Sequence, residues 1–453
     1  MKTIQPRLPK GMRDILPRQM ILRQRVVSIV ERAFAEFGFE PLITPSVELA
    51  EILLGKYGSE GEKLIFMVEH PGGKESLALR YDLSVPLSRV VAQYPDLPKP
   101  FRRYQIAPVW RAERPQKGRY REFFQCDADI VGSSSMLADA EIVALINTIL
   151  RRLGFEQFVT ILNDRKILTG IGQYAGLSTE ALPDLYRSID KLDKIGIDGV
   201  REELVKAGLK GHSVNRVLDL LRPQGARQPG QTESGQPTLD ELRQQLAEYP
   251  LAVEGIGELQ ELVSYLPALG VDEQFYRVDL AMVRGLDYYT GPIYESVVEK
   301  PRIGSITGGG RFDGLVGMFS AQGFPATGTT IGIERIIDVM EELRMQPSDV
   351  GSTLVQVLVT VFGPQLLHDS LRLTTELRNT GLRSELYYGS DPLGTQIRYA
   401  LKRGIPLVVI AGPDELASEQ VTVRDLNAKS QAKVARADVA RVLLEKVGTE
   451  RGT

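Results

Sequence analysis

From about residue 351 the sequence falls into a strand–helix alternation that it shows nowhere earlier, and a 453-residue chain with such a change of rhythm divides into more than one architecture. Leu354 to Phe362 reads as a strand, Leu366 to Asn379 as a helix stopped by Gly381, and Leu382 to Tyr388 as a second strand. A helix from about Leu393 to Arg403, stopped by Gly404, leads to a buried strand, Pro406 to Ala411, and an exposed one, Gln420 to Leu426. Residues 346–453 are therefore expected to form a separate α/β domain behind the linker-like stretch Arg344 to Gly351.

The chain before it has no βαβ rhythm. Pro17 opens an amphipathic helix that presents Ile21, Ile29, Val30, Ala33, Phe34 and Phe37 before Gly38 stops it. Phe39 to Ile43 and Leu77 to Tyr81 read as strands, and the irregular alternation favours an α+β domain with an antiparallel sheet over residues 1–167. Residues 168–272 turn helical, as in Leu182 to Ile195 and Ser213 to Leu221, around a Pro, Gly and Gln run expected to be a mobile loop near 222–238. Strand patterns resume at Tyr276 to Leu280 and Tyr294 to Val298. Residues 273–345 thus read as the second part of a domain interrupted by a helical insertion domain.

Lys plus Arg number 55 and Asp plus Glu 58, a net charge of −3, so any nucleic-acid partner must be held by a local basic surface. Apolar runs stop well short of a membrane span, and the first ten residues lack the apolar core of a signal peptide; a cytoplasmic protein without membrane contact is expected. One cysteine, Cys126, and three scattered histidines argue against a disulfide or a structural zinc site. Neither a P-loop nor a Rossmann glycine turn is present, so a nucleotide would have to be bound in another way.

Residues 102–122 carry seven basic against two acidic side chains, a net +5. Such a run is ordinarily a solvated face, but its order is specific: Arg111-Ala-Glu113, a turn-like Arg114 to Gly118, then Arg119-Tyr-Arg-Glu-Phe123. A hairpin would gather Arg111, Glu113, Arg119 and Phe123 on one face. An arginine fork for phosphate, a carboxylate for an amino group and a ring for a base together make a nucleotide site.

That hairpin pattern resembles motif 2 of the class II aminoacyl-tRNA synthetases, Phe39 to Ser46 is similar to their motif 1, and Thr327-Gly-Thr-Thr-Ile-Gly-Ile-Glu-Arg335 to their motif 3. Val283 to Gly291 and Thr307-Gly-Gly-Gly-Arg-Phe-Asp-Gly-Leu315 resemble the two signature segments of the histidyl-tRNA synthetase family. A triple glycine by itself reads as a flexible turn; in this ordered set it reads as a signature. The resemblance covers nearly the whole chain, including Ile410 to Leu416 and Val421 to Leu426 of the family's anticodon-binding domain, but not the insertion near 220–240.

The resemblance implies that L-histidine attacks the α-phosphate of ATP, supplied with Mg²⁺, and that the histidyl group passes to the 3′ end of tRNA(His). It assigns Arg111 to the α-phosphate, Glu113 to the adenine amino group, Phe123 and Arg335 to the two adenine faces, and Arg119 to the outer phosphates. Arg284 is implied as the second catalytic arginine, reaching the α-phosphate and substrate carboxylate from the opposite side. For histidine it implies Tyr289 and Asp129 on the ring nitrogens, with Tyr288 beside them, and Asp82, Ser84 and Gln125 on the amino and carboxylate groups. Arg114, Gln116 and Lys117 would meet the tRNA acceptor end, and a homodimer is implied through motif 1. Ser84 stands where the family usually has Thr, and Phe312 where it usually has Tyr.

Two rival readings stand against it, the first from a different functional class. A catalytically idle, histidine-binding paralogue acting as the regulatory subunit of ATP phosphoribosyltransferase lacks the anticodon domain and tends to lose the nucleotide arginines, whereas this chain keeps Arg111, Arg119, Arg284 and Arg335. A synthetase for another amino acid is opposed by the Arg284-Gly-Leu-Asp-Tyr-Tyr289 string.

Overall fold

The structure is a computed structural model and describes residues 4–55, 61–116, 118–206, 208–221, 238–283, 288–301, 303–345, 351–389 and 391–448. The expected mobile loop near 222–238 lies almost wholly outside the described residues. Contacts divide the chain into two units, Met1–Arg13 with Val26–Met345, and Asp14–Arg25 with Gln346–Thr453.

Helix α1 (Pro17–Glu36), whose residues from Val26 onward belong to the first unit, buries Val26, Val30, Ala33 and Phe34 and leads into β1 (Glu40–Pro41). A small antiparallel sheet of β2 (Val47–Leu49), β3 (Met67–Val68) and β4 (Leu77–Leu79) precedes α2 (Ser84–Gln93). Two ten-residue strands, β5 (Phe101–Trp110) and β6 (Glu122–Val131), then form the long hairpin foreseen from the basic stretch. Strand β5 alternates buried and half-buried positions, the period-2 signature of a strand with one packed face. Helix α3 (Met136–Arg152) starts on Ser135, whose Oγ accepts from the Leu137 N–H, and ends with Arg151 and Arg152, which suit the negative end of its dipole.

After β7 (Phe158–Asp164) the described residues form six α-helices: α4 (Arg165–Tyr174), α5 (Leu182–Ile189), α6 (Leu192–Lys206), α7 (Gly211–Leu221), α8 (Leu239–Gln245) and α9 (Pro250–Tyr265). The continuous helix expected over Leu182 to Ile195 is broken: α5 ends at Ile189, and Gly196, at φ 67° and ψ 177°, interrupts α6. Glycine adopts that backbone conformation without steric cost, so the apolar spacing persists across a break it cannot report.

Strands β8 (Tyr276–Val278), β9 (Pro292–Val298), β10 (Thr307–Arg311) and β11 (Ala326–Ile331) complete the sheet, in the order β1-β5-β6-β11-β10-β9-β7-β8, and α10 (Ile333–Glu342) follows directly. All neighbours are antiparallel except β1 with β5 and β8 with β7, so the predicted antiparallel sheet carries a parallel strand at each edge. The triple glycine is the interior of β10, not a turn. A Cβ on Gly309 would lie 2.2 Å from the Gly328 carbonyl oxygen, and one on Gly310 2.7 Å from that of Pro292. The run is there because neighbouring backbone and rings leave no room.

The second unit's sheet runs β13-β12-β14-β15-β16, built from β12 (Val357–Val359), β13 (Ser384–Leu386), β14 (Leu407–Ile410), β15 (Gln420–Asp425) and β16 (Ser430–Ala435). Helices α11 (Leu367–Asn379), α12 (Leu393–Arg403) and α13 (Val439–Val447) accompany it. Val357, Val359, Leu407 and Val409 join one apolar cluster while Leu358, Val408 and Ile410 join another, which explains their unbroken hydrophobic runs. One expectation is corrected: β15 is not an exposed strand but pairs with β14 and β16 and is half to fully buried. The exposed edge is β16, Ser-Gln-Ala-Lys-Val-Ala, which has little strand pattern of its own and gains its structure from pairing with β15.

Candidate active site

Two adjoining cavities open on the large sheet between the β5–β6 hairpin and strands β10 and β11. The first is walled by Arg111, Glu113, Arg119 and Phe123 from the hairpin and by Glu334 and Arg335 from the head of α10. The second takes in Asp82, Ser84, Gln125, Asp129, Tyr288 and Tyr289. Arg111, Arg119, Gln125, Gly308 and Thr330 belong to both.

In the first cavity Arg111 donates from Nε to the Tyr81 carbonyl oxygen at 3.2 Å, and its guanidinium lies 4.3 Å from the Tyr81 ring centre and 5.2 Å from that of Phe123. Stacking and hydrogen bonding together fix the plane of the fork. Arg119 forms an ion pair with Glu113 across the loop, and Nη1 of Arg335 donates to the Ser305 carbonyl oxygen at 2.6 Å. Of the residues assigned to the tRNA acceptor end, Arg114 and Gln116 are exposed on this loop, and Lys117 lies outside the described residues.

The second cavity is built from the strand interior. Gln125, Asp127 and Asp129 share one face of β6 because side chains repeat every second residue. Asp129 pairs with the fully buried Arg103 at 2.8 Å, and Arg103 also donates to the Leu83 carbonyl oxygen at 3.0 Å. Burial raises the pKa of Asp129, opposed by Arg103; burial and then the neighbouring Asp129 raise that of Asp127 further. Two carboxyls so close in a dry site do not both ionise readily. Gly328 stands opposite Asp129 in the β6–β11 register, where a Cβ would lie 2.1 Å from Oδ1. Among the described residues Gln125 Oε1 and Asp127 Oδ1 are buried with no hydrogen-bond partner, as polar atoms reserved for a ligand would be.

Asp82 Oδ1 accepts from the Val85 N–H at 3.0 Å at the start of α2. Burial raises the pKa of both Tyr288 and Tyr289, which keeps them neutral donors. Phe312 is 5.9 Å from Tyr288 in an edge-on ring contact and packs in an apolar cluster with Tyr81 and Leu315, so the missing hydroxyl leaves a satisfied hydrophobic position. Arg284 lies outside the described residues. Arg311, in the second signature, lines neither cavity: it pairs with buried Asp139, whose pKa burial raises to about 6, and Asp139 accepts from Thr327 at 2.6 Å.

Among known proteins, a family model described as histidyl-tRNA synthetase matches residues 11–336, and one described as anticodon binding domain matches residues 356–446. The histidine–tRNA ligase of Aeropyrum pernix is 46% identical over 411 residues, covering 90% of this chain and 91% of that protein. The chain belongs to the histidyl-tRNA synthetase family. A second member, from Gloeobacter violaceus, is 41% identical over 464 residues, 96% of this chain and 97% of its own. The crystal structure of the histidyl-tRNA synthetase from Nostoc sp. PCC 7120 superposes with a TM-score of 0.85 at 32% identity, covering 98% of this chain and all of that one.

Within this synthetase fold, sequence reasoning passed over Asp127 and Glu295, both on the second cavity's wall. Asp127 carried a usable signal: it sits midway between Gln125 and Asp129 on a strand, so the alternation that orients those two orients it as well. Glu295 carried none, because its place depends on β9 pairing with β10, where it faces Gly308.

Proposed function

We propose that this chain activates L-histidine with ATP and transfers the histidyl group to the 3′ end of tRNA(His). The observation that carries the reading is the pair of adjoining cavities with shared walls: one has the arginines, carboxylate and ring suited to ATP, the other the buried polar groups suited to an amino acid with a nitrogenous ring. The histidine carboxylate would attack the α-phosphorus, forming a carboxyl–phosphate bond as the bond to the β-phosphate oxygen breaks and pyrophosphate leaves. Charge builds on the α-phosphate oxygens, and Arg111, held by Tyr81 and Phe123, is pre-oriented to stabilise it. Arg284 is assigned to the same task by motif alone. Gln125, Asp129 and Tyr289 would hold histidine, and reading ring nitrogens by polar groups discriminates far better than shape alone.

Mg²⁺ is read as arriving with ATP. Among the described residues no group of three His, Cys, Asp or Glu side chains is placed to hold a metal ion. No described helix is long and apolar enough to cross a membrane. We read the helices between β7 and β8 as an insertion domain, the C-terminal domain as the anticodon reader, and the setting as cytoplasmic. The homodimer reading is supported by exposed apolar side chains in and just beyond motif 1, with Ile43 at 84% and Val47 at 39% exposure. The regulatory-subunit reading is not favoured, since the relatives matched over nearly their whole length are named histidine–tRNA ligases and the anticodon domain is present.

The test is amino-acid-dependent exchange of labelled pyrophosphate into ATP, with each amino acid in turn, beside Arg111→Ala and Arg284→Ala variants. Exchange with histidine alone, lost in the variants, supports the reading; histidine binding without exchange rejects it.

A further inference from the structure

The segment Lys10 to Arg13 lies outside every motif of the sequence reading, yet it touches two walls of the nucleotide cavity. The Gly11 carbonyl oxygen accepts from the Arg121 N–H at 2.8 Å, and that of Lys10 accepts from Arg121 Nη1 at 3.3 Å. Arg121 passes the contact on, donating from Nε to the Glu113 carbonyl oxygen at 3.0 Å. Gly11 has φ +86°, and a Cβ there would sit 2.7 Å from Pro115 Cγ, so the strap lies flat on the hairpin loop. Arg13 then bridges to the other wall. Its guanidinium stacks 3.8 Å from the centre of the Tyr120 ring and forms an ion pair with Glu334, whose side chain is only 8% exposed. Glu334 in turn accepts from the Phe124 N–H at 3.3 Å and precedes Arg335 in the first turn of α10.

We propose that Arg13 is a positioning residue for the nucleotide half of the site, fixing the hairpin loop that carries Glu113 and Arg119 against the helix that carries Arg335. Arg13 does not line the cavity, so it acts through these neighbours. The proposal rests on the first cavity being the ATP site. Loosening the two walls relative to each other weakens a ligand that spans them and leaves in place Asp82 and Asp129, which line only the second cavity and sit at the head of α2 and in the interior of β6.

The experiment compares wild type, Arg13→Ala and Arg13→Lys by histidine-dependent pyrophosphate exchange, with thermal unfolding of each. Arg13→Ala is expected to raise KM for ATP about tenfold while KM for histidine stays within about twofold. Arg13→Lys keeps the ion pair but loses the planar stack and falls between. Adding Tyr120→Leu to Arg13→Ala should cost little more, because both remove one contact. A KM for ATP within twofold of wild type overturns the proposal, as does a rise in both KM values together with a lowered Tm, the mark of a merely structural strap. If Arg13→Ala does not fold, the Lys variant's KM split decides. Absence of exchange in wild type rejects the synthetase reading; exchange in wild type with a silent Arg13→Ala rejects this inference alone.

Discussion

The two halves of the cleft are made of different material. The proposed nucleotide half is a charged loop closing on a helix start: Arg119 is 51% exposed at its side chain and Arg114 is solvent-facing. The proposed histidine half is strand interior, where Arg103, Asp127 and Asp129 are buried and Gly328 of β11 stands against Asp129. Exposed charges on a loop contribute little to folding and much to an anionic ligand, whereas buried charges are bound into the stability of the sheet. Changes in the first half should therefore cost chemistry, and changes in the second should cost the fold.

The sharpest way to break that contrast is Asp129→Ala, which leaves Arg103 buried without its carboxylate. Destabilisation of about 3 to 5 kcal/mol is expected in urea unfolding, and a loss under 1 kcal/mol would mean the pair is not structural. Next is Arg111→Ala, expected to slow exchange by roughly 100-fold or more, near 2.7 kcal/mol or above in the transition state, with urea stability almost unchanged. A large stability loss there would erase the distinction between the halves. Third, Gly309→Ala should destabilise by about 1 to 3 kcal/mol through overpacking, whereas Gly308→Ala, whose Cβ would meet nothing closer than Glu295 Cγ at 4.0 Å, should leave folding intact. Gly308 lines both cavities, so its variant should instead weaken substrate binding in exchange assays.

The smallest effect expected is a pH dependence. Burial, then Asp129, raises the folded-state pKa of Asp127, opposed by Arg103. The folded chain therefore keeps this proton to higher pH than the unfolded chain, so the contribution falls as pH rises from the ordinary carboxylate range through the raised value. Asp127→Asn removes that fall. Its Tm relative to wild type should rise between pH 5 and pH 9, and a constant difference would show that Asp127 ionises as freely folded as unfolded.

Legibility followed the range of the interactions. The hairpin and its gathered Arg111, Glu113, Arg119 and Phe123 were readable because turn and alternation lie within about 20 residues. Helix α12 was readable end to end, since Gly404 adopts φ 73° at its C-terminus as a helix-ending glycine does. The triple glycine was readable as a signature but not, by its composition, as a strand, because the Gly328 carbonyl and the Tyr294 ring that require it come from elsewhere in the chain. Strand β16 was missed for a related reason: its residues are strand only by virtue of β15.

By itself the sequence determined the order of motifs, hence the family, the division into an antiparallel catalytic sheet and a C-terminal α/β domain, and the residue types the chemistry draws on. Which of these residues meet is set by folding. It set Asp127 beside Asp129 in a dry pocket with Arg103 beneath, turned Arg311 away to Asp139, and joined Arg13 to Glu334 across 321 positions of chain. The physical reason is that local periodicity is written in neighbouring residues, whereas burial and the pairing of charges depend on strands and segments that only folding brings together.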